Sequence, residues 1–149
     1  MRNKPKWYSA VLLGLALLLF ASITACAPSS LSSTPTIQPS SGEEAIPWHE
    51  ANNHVGEIKV VEGPVVSAMW ASGSEGKPTF LNIGKPYPAP DRFTVVIWID
   101  NRVKFTREFS PDPETYFLYK TVRVKGFIDT YKGIPQIQLS DPANIWIVK

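Results

Sequence analysis

From Glu57 onward, short apolar runs alternate with turn residues. Ile58-Lys59-Val60-Val61-Glu62-Gly63-Pro64-Val65-Val66 is β-branched and interrupted by glycine, which predicts a first strand. Ser72-Gly73-Ser74-Glu75-Gly76 is a turn cluster. Thr79 to Ile83 and Phe93 to Ile99 predict a second and third strand, separated by a proline-rich loop from Lys85 to Pro90. Pro111 and Pro113 break the next stretch, where Glu114 to Tyr119 reads as a short helix. Thr121 to Ile128 alternates, the turn Tyr131-Lys132-Gly133 follows, and Pro135 to Leu139 and Ile145 to Val148 close the chain. Pro47 to Asn53 fits one or two helical turns. Five or six strands at this spacing predict an all-β barrel or sandwich.

Two segments repeat a pattern. Val61-Glu62-Gly63-Pro64-Val65 and Val124-Lys125-Gly126-Phe127-Ile128 both read V-x-G-x-V/I. A glycine inside a strand marks a bend or a close backbone approach, so the first and fourth long strands are expected to bend at Gly63 and Gly126.

The N-terminal third follows different rules. Arg2, Lys4 and Lys6 precede an apolar stretch from Ala10 to Ala25, the layout of a secretory signal peptide over residues 1–25. Ala27 to Ala45 holds six Ser, two Thr and three Pro and no aromatic residue. Such a segment buries too little apolar surface to offset the entropy of ordering, and residues 26–45 read as a disordered tether about 25 Å end to end. The folded domain is expected over residues 46–149.

Composition narrows the function. The 149 residues include one cysteine, so neither a disulfide framework nor a Cys-rich zinc site is available. Loss of residues 1–25 removes three basic residues and no acid, leaving 12 Lys and Arg against 13 Asp and Glu. Net charge alone therefore does not mark a nucleic-acid binder, but the charges are segregated. Lys77, Lys85, Arg92, Arg102, Lys104 and Arg107 face only Asp91 and Asp100 over residues 77–107. Lys120, Arg123, Lys125 and Lys132 face only Asp129 over residues 120–132.

Ile23-Thr24-Ala25-Cys26 resembles the bacterial lipobox. The resemblance implies cleavage before Cys26, lipidation of its thiol, and a membrane-anchored protein facing outside the cytoplasm. Lys120 to Ile137 is similar to the K-x-V-x-V-x-G-x-I-x-x-Y-x-G-x-P-x-I closing hairpin of OB-folds of the tRNA/helicase nucleic-acid-binding type. Phe80 to Gly84 and Phe93 to Ile97 resemble the middle hairpin of secreted members of that group. The resemblance implies a five-stranded OB-fold barrel with a short helix between strands three and four. It also implies a ligand on the face of strands two and three and in the flanking loops.

Alternation then proposes the site. Arg92, Thr94, Val96 and Trp98 share one face of the third strand, and Arg123, Lys125 and Phe127 share one face of the fourth. With Phe80, the residues Arg92, Trp98, Arg123 and Lys125 are expected on one outer surface, with Tyr87 and Tyr131 in adjoining loops. Cations along a backbone path and rings for bases suit single-stranded DNA. A cell-envelope module binding protein or polysaccharide is the alternative.

No catalytic constellation emerges, and no enzyme activity, cofactor or metal is expected. His49-Glu50 and His54 miss the i, i+4 spacing of a zinc helix. No G-x-S-x-G elbow occurs. Staphylococcal-type nucleases share the barrel, but their Arg/Asp/Glu constellation has no counterpart here.

Overall fold

The computed structural model describes residues 43–149. The expected signal peptide, the expected lipidation site Cys26 and the expected tether as far as residue 42 lie outside the described residues. The strands are β1 (Ala45–Pro47), β2 (Ile58–Trp70), β3 (Thr79–Ile83), β4 (Phe93–Ile97), β5 (Thr121–Tyr131), β6 (Ile134–Gln138) and β7 (Ile145–Ile147). The helices are α1 (Ile99–Glu108) and α2 (Pro113–Phe117), with 3-10 segments at Trp48–His54 and Pro142–Asn144.

The seven strands form one sheet, and five of them pair in a closed circuit. β2 pairs antiparallel with β3, β3 with β4, and β5 with β6; β4 runs parallel to β6, and β5 returns antiparallel to β2. Two short strands extend it: β1 lies parallel to β2, and β7 antiparallel to β5.

The circuit depends on the length of β2 and β5. Residues 58–64 of β2 pair with β5, and residues 65–70 pair with β3, with a register shift between Val65 and Ser67 at the change of partner. β5 pairs with β2 through residues 121–127 and with β6 through residues 128–131. Gly126 sits at that second change of partner, where a Cβ would lie 2.5 Å from Ile137 Cγ2. Gly63 is equally tight, with Ile83 Cγ2 at 2.5 Å and the Trp48 ring at 2.6 Å from a Cβ position. Both expected bends therefore fall where backbone and side chain approach too closely for any larger residue.

Val61, Val65, Leu81, Ile83, Phe93, Val95, Ile97, Val122, Val124, Ile128 and Ile137 are buried inside the circuit. Phe105, Phe109 and Phe117 join the same core from α1, the residue after it, and α2. The Phe109 and Phe117 rings meet edge to face at 4.6 Å.

Three sequence expectations need correction. Among the described residues there are seven strands, where the resemblance implies five and the sequence pattern five or six; Ala45–Pro47 was not expected as a strand, and it and Ile145–Ile147 add to the outer edges of β2 and β5. The tether boundary at 45 falls inside β1, where Ala45 pairs with Val60 and Glu43 just before it reaches Lys125. Between the third and fourth strands of the circuit stand two helices, the longer one starting at Ile99, where a strand was expected. Ile97-Trp98-Ile99 continues the strand alternation and hides the change. The inward face of α1 is also masked, since Arg102 lies between Ile99 and Phe105 on it. Arg102 is buried because its guanidinium makes two bonds to Glu114, at 2.8 and 2.7 Å, and lies 4.3 Å from the centre of the Trp70 ring. In α2, Asp112 accepts a bond from Thr115 N at 2.8 Å, and Pro113 opens the helix, a strong start signal.

Candidate functional site

Register determines what the outer face presents. Ser67 pairs with Asn82, Asn82 with Thr94, and Thr94 with Gln136, so four polar side chains line up across β2, β3, β4 and β6. Asn82 Nδ2 donates to Ser67 Oγ at 3.0 Å, and Thr94 Oγ1 donates to Asn82 Oδ1 at 3.3 Å. These two bonds orient the Asn82 amide, which is buried together with Thr94. In the next row Met69 pairs with Phe80, Phe80 with Val96, and Val96 with Gln138.

A cavity of about 270 Å³ opens over these rows. Asn82, Thr94 and Gln136 give it polar groups, and Met69, Phe80 and Ile134 give it apolar ones. Ala71 and Ser74 enter at the β2–β3 end, Tyr87 and Arg92 from the β3–β4 loop, and Tyr131, expected in a loop, from the last position of β5, where it pairs with Ile134. Tyr87 is 72% exposed and Tyr131 61%. Rings this exposed contribute little to the core.

Arg92 carries the charge of the cavity. Its Nη1 donates to Ala89 O at 2.6 Å, and its guanidinium carbon lies 5.2 Å from the Tyr87 ring centre. Its Nε is buried without a hydrogen-bond partner. Among the described residues Arg92 has no carboxylate partner within ion-pair distance. Lys132 Nζ stands 5.3 Å from the Tyr131 ring centre. The neighbouring acid, Asp91, is paired with Lys85, whose ammonium holds the Asp91 carboxyl below the usual carboxylate range.

The seven expected ligand-binding residues separate. Phe80, Tyr87, Arg92 and Tyr131 converge on the cavity. Trp98 lies beyond its edge: Nε1 donates to Gln138 Oε1 at 2.8 Å and the indole covers Gly76. Arg123 and Lys125 do not share this surface. They precede the change of partner after Phe127 and so belong to the half of β5 that pairs with β2 and β7. Arg123 Nε donates to Glu62 at 2.6 Å, and Lys125 Nζ to Glu43 at 2.6 Å. Burial alternates along the first half of β5 as expected, but not along β4, all five of whose residues are buried. After Phe127, β5 changes partner from β2 to β6, so its residues before and after that point have different neighbours. Thr94 and Val96, expected on a solvated face, are buried.

Sequence reasoning missed Asn82, Thr94, Gln136, Met69 and Ile134. Asn82 and Thr94 had a signal, since each alternates with core residues beside a chosen position. Gln136 and Met69 enter through cross-strand register, which no local pattern carries.

Other features lead elsewhere. A larger cavity of about 580 Å³ lies among Phe109, Tyr116, Trp146 and Ile147, and holds none of the expected residues. His49 lies 4.0 Å from Glu50, and His54 pairs with Glu57 at 3.3 Å. Among the described residues no three His, Cys, Asp or Glu side chains gather as a metal cluster, and no helix is long and apolar enough to cross a membrane.

No family model matches the chain, and no curated protein matches it significantly. Solved structures do. Aspartyl tRNA synthetase of Entamoeba histolytica is 11% identical over 75% of this chain and 23% of its own, with a TM-score of 0.47. A Leishmania major protein described as an aspartyl-tRNA synthetase is 12% identical over 77% of this chain and 23% of its own, at 0.45. A Klebsiella pneumoniae protein described as a nucleic acid-binding lipoprotein is 16% identical over 68% of this chain and 78% of its own, at 0.41. The chain thus spans about a quarter of either synthetase. Likenesses at these scores leave the architecture to be read from the strand pairings themselves.

Proposed function

We propose that the domain is an OB-fold that binds single-stranded nucleic acid, specifically single-stranded DNA, without catalysis, on a protein anchored outside the cytoplasm by a lipid on Cys26. The strand circuit supports the fold: taken in chain order its five strands pair 1-2-3-5-4 and return to 1. Such a barrel receives ligands on the face of its second and third strands and in the loops that flank them. Here those strands are β3 and β4, and the flanking segments bring in Ser74 and Tyr131.

One observation carries the ligand: exposed Tyr87 and Tyr131 share a cavity with Arg92, a cation without an acid partner among the described residues. A ring offers its face to a base, and the guanidinium offers hydrogen bonds to a phosphate oxygen. Bases in a duplex are stacked and out of reach of such a cavity, so the strand must be single. The anchor rests on the Ile23-Thr24-Ala25-Cys26 motif. Two or more acyl chains hold a protein at a membrane where a single chain binds reversibly.

Among the described residues Arg92 and Lys132 stand beside the exposed rings without a carboxylate partner, so few phosphates are neutralised. Two contacts to a single strand give a slope of log Kobs against log salt of about −1.4. The test is an anisotropy titration of the full-length protein, in detergent, against labelled oligothymidylate at two salt concentrations. Binding that weakens with salt along this shallow slope supports the proposal. Failure to bind at low salt rejects it, and salt-insensitive capture of a cell-wall polysaccharide would replace it.

A further inference from the structure

Arg92 lines two cavities. The second, about 220 Å³, lies between the 3-10 segment, the β3–β4 loop and the β5–β6 connection. Trp48, His49 and Asn52 approach it from the first of these, Asp91 and Arg92 from the second, and Gly133 from the third.

The two cavities differ in chemistry. Tyrosines, Phe80 and Met69 surround the first, which suits a flat ring. The second offers the Asn52 amide, the His49 ring nitrogens and the Arg92 guanidinium. The one acid lining it, Asp91, is paired with Lys85, which weakens its repulsion of an anion. The Trp48 ring, packed against the position of Gly63, holds this wall in place. Trp48 also meets the His49 ring edge to face at 5.7 Å. His49 and Asn52 are three residues apart in a 3-10 segment, where side chains at that spacing lie one above the other.

We infer that this cavity is a second subsite, taking the sugar and phosphate of the nucleotide adjoining the one whose base fills the first, with Arg92 at the linking phosphate. The inference rests on the nucleic-acid reading above. It makes the 3-10 segment, which lies outside the five-strand circuit, part of the binding surface. The ligand path then runs from the β5–β6 turn past Arg92 to His49 and Asn52, and does not cross toward Arg123 and Lys125.

Calorimetric titration of the full-length protein in detergent with thymidine mono-, di- and hexanucleotides tests this. The dinucleotide is expected to bind at least about tenfold more tightly than the mononucleotide. The double variant His49→Ala/Asn52→Ala, at exposed positions, should lose that step while keeping the mononucleotide affinity and the thermal midpoint. Equal affinity for mono- and dinucleotide would overturn the second subsite and leave the nucleic-acid reading standing. A step that persists in the double variant would overturn its placement. Absence of binding for all three would overturn both.

Discussion

Arg123 and Glu62 face one another across the β2–β5 ladder, with Nε donating to Oε2 at 2.6 Å. Each is about two-thirds covered. A cation so committed has little charge to offer a phosphate, since leaving Glu62 would expose an unpaired acid. Arg123→Gln is therefore expected to change oligonucleotide affinity by less than about twofold. Arg92→Gln should weaken binding and make the salt slope shallower by about 0.7. Anisotropy titrations of both variants across a salt series check the pair; equal losses would show that the cavity is not the binding surface.

Tyr87 and Tyr131 are more than half exposed, so truncation costs the core little. Each change to alanine should weaken single-strand binding by about 1–3 kcal/mol with the thermal midpoint held within a degree or two. A drop in midpoint without a drop in affinity would assign the rings to structure.

Gly126→Ala places a methyl against Ile137 Cγ2, 2.5 Å from the Cβ position. Overpacking of this kind costs about 1–3 kcal/mol, and Ile137→Ala alone, by opening a cavity, about 2–5 kcal/mol. Denaturant unfolding of both and of the double variant should show a combined loss smaller than the sum, because the second change removes the clash made by the first.

Arg102 and Glu114 tie α1 to α2 in a largely buried pair. Glu114→Ala would leave the guanidinium without its acid, and breaking a buried pair from one side costs about 3–5 kcal/mol. The midpoint of urea unfolding is expected to fall accordingly.

Asp112 caps α2. Burial raises its pKa, but bonds donated by Thr115 outweigh this, and the net shift is downward. A carboxylate whose folded pKa is depressed contributes stability above its unfolded value, near about 3.9, and loses it as pH falls through the folded value. Asp112→Asn should therefore be less stable than wild type at neutral pH, with the gap closing below about pH 4. Thermal melts from pH 7 to 2 check this; a gap independent of pH would mean the charge plays no part.

The order of strands was legible because each carries its own alternation and turn residues, as in Thr79–Ile83 and Phe93–Ile97. So were the two positions reserved for glycine within strands, since only glycine fits where Ile137 and Trp48 press on the chain. Helix α1 was not legible, because Arg102 occupies a buried position that becomes tolerable only with Glu114 opposite it. Part of the candidate site was legible: Phe80 and Arg92 follow from alternation, Tyr87 from its loop, and Tyr131 from its place beside the Lys132-Gly133 turn, although it is the last residue of β5. Gln136 was not, because its place beside Thr94 depends on a parallel pairing between β4 and β6, residues about forty apart in the chain.

Alternation is a local property, and it assigned each outer residue to the outer face without any knowledge of neighbours. Which outer residues meet is a property of the closed circuit. Because β5 pairs first with β2 and, after Phe127, with β6, one strand supplies two surfaces. Arg123 and Lys125 went to acids on one of them, and Tyr131 went to the cavity on the other. The reason is geometric: a strand that changes partners also changes the direction its outer side chains face.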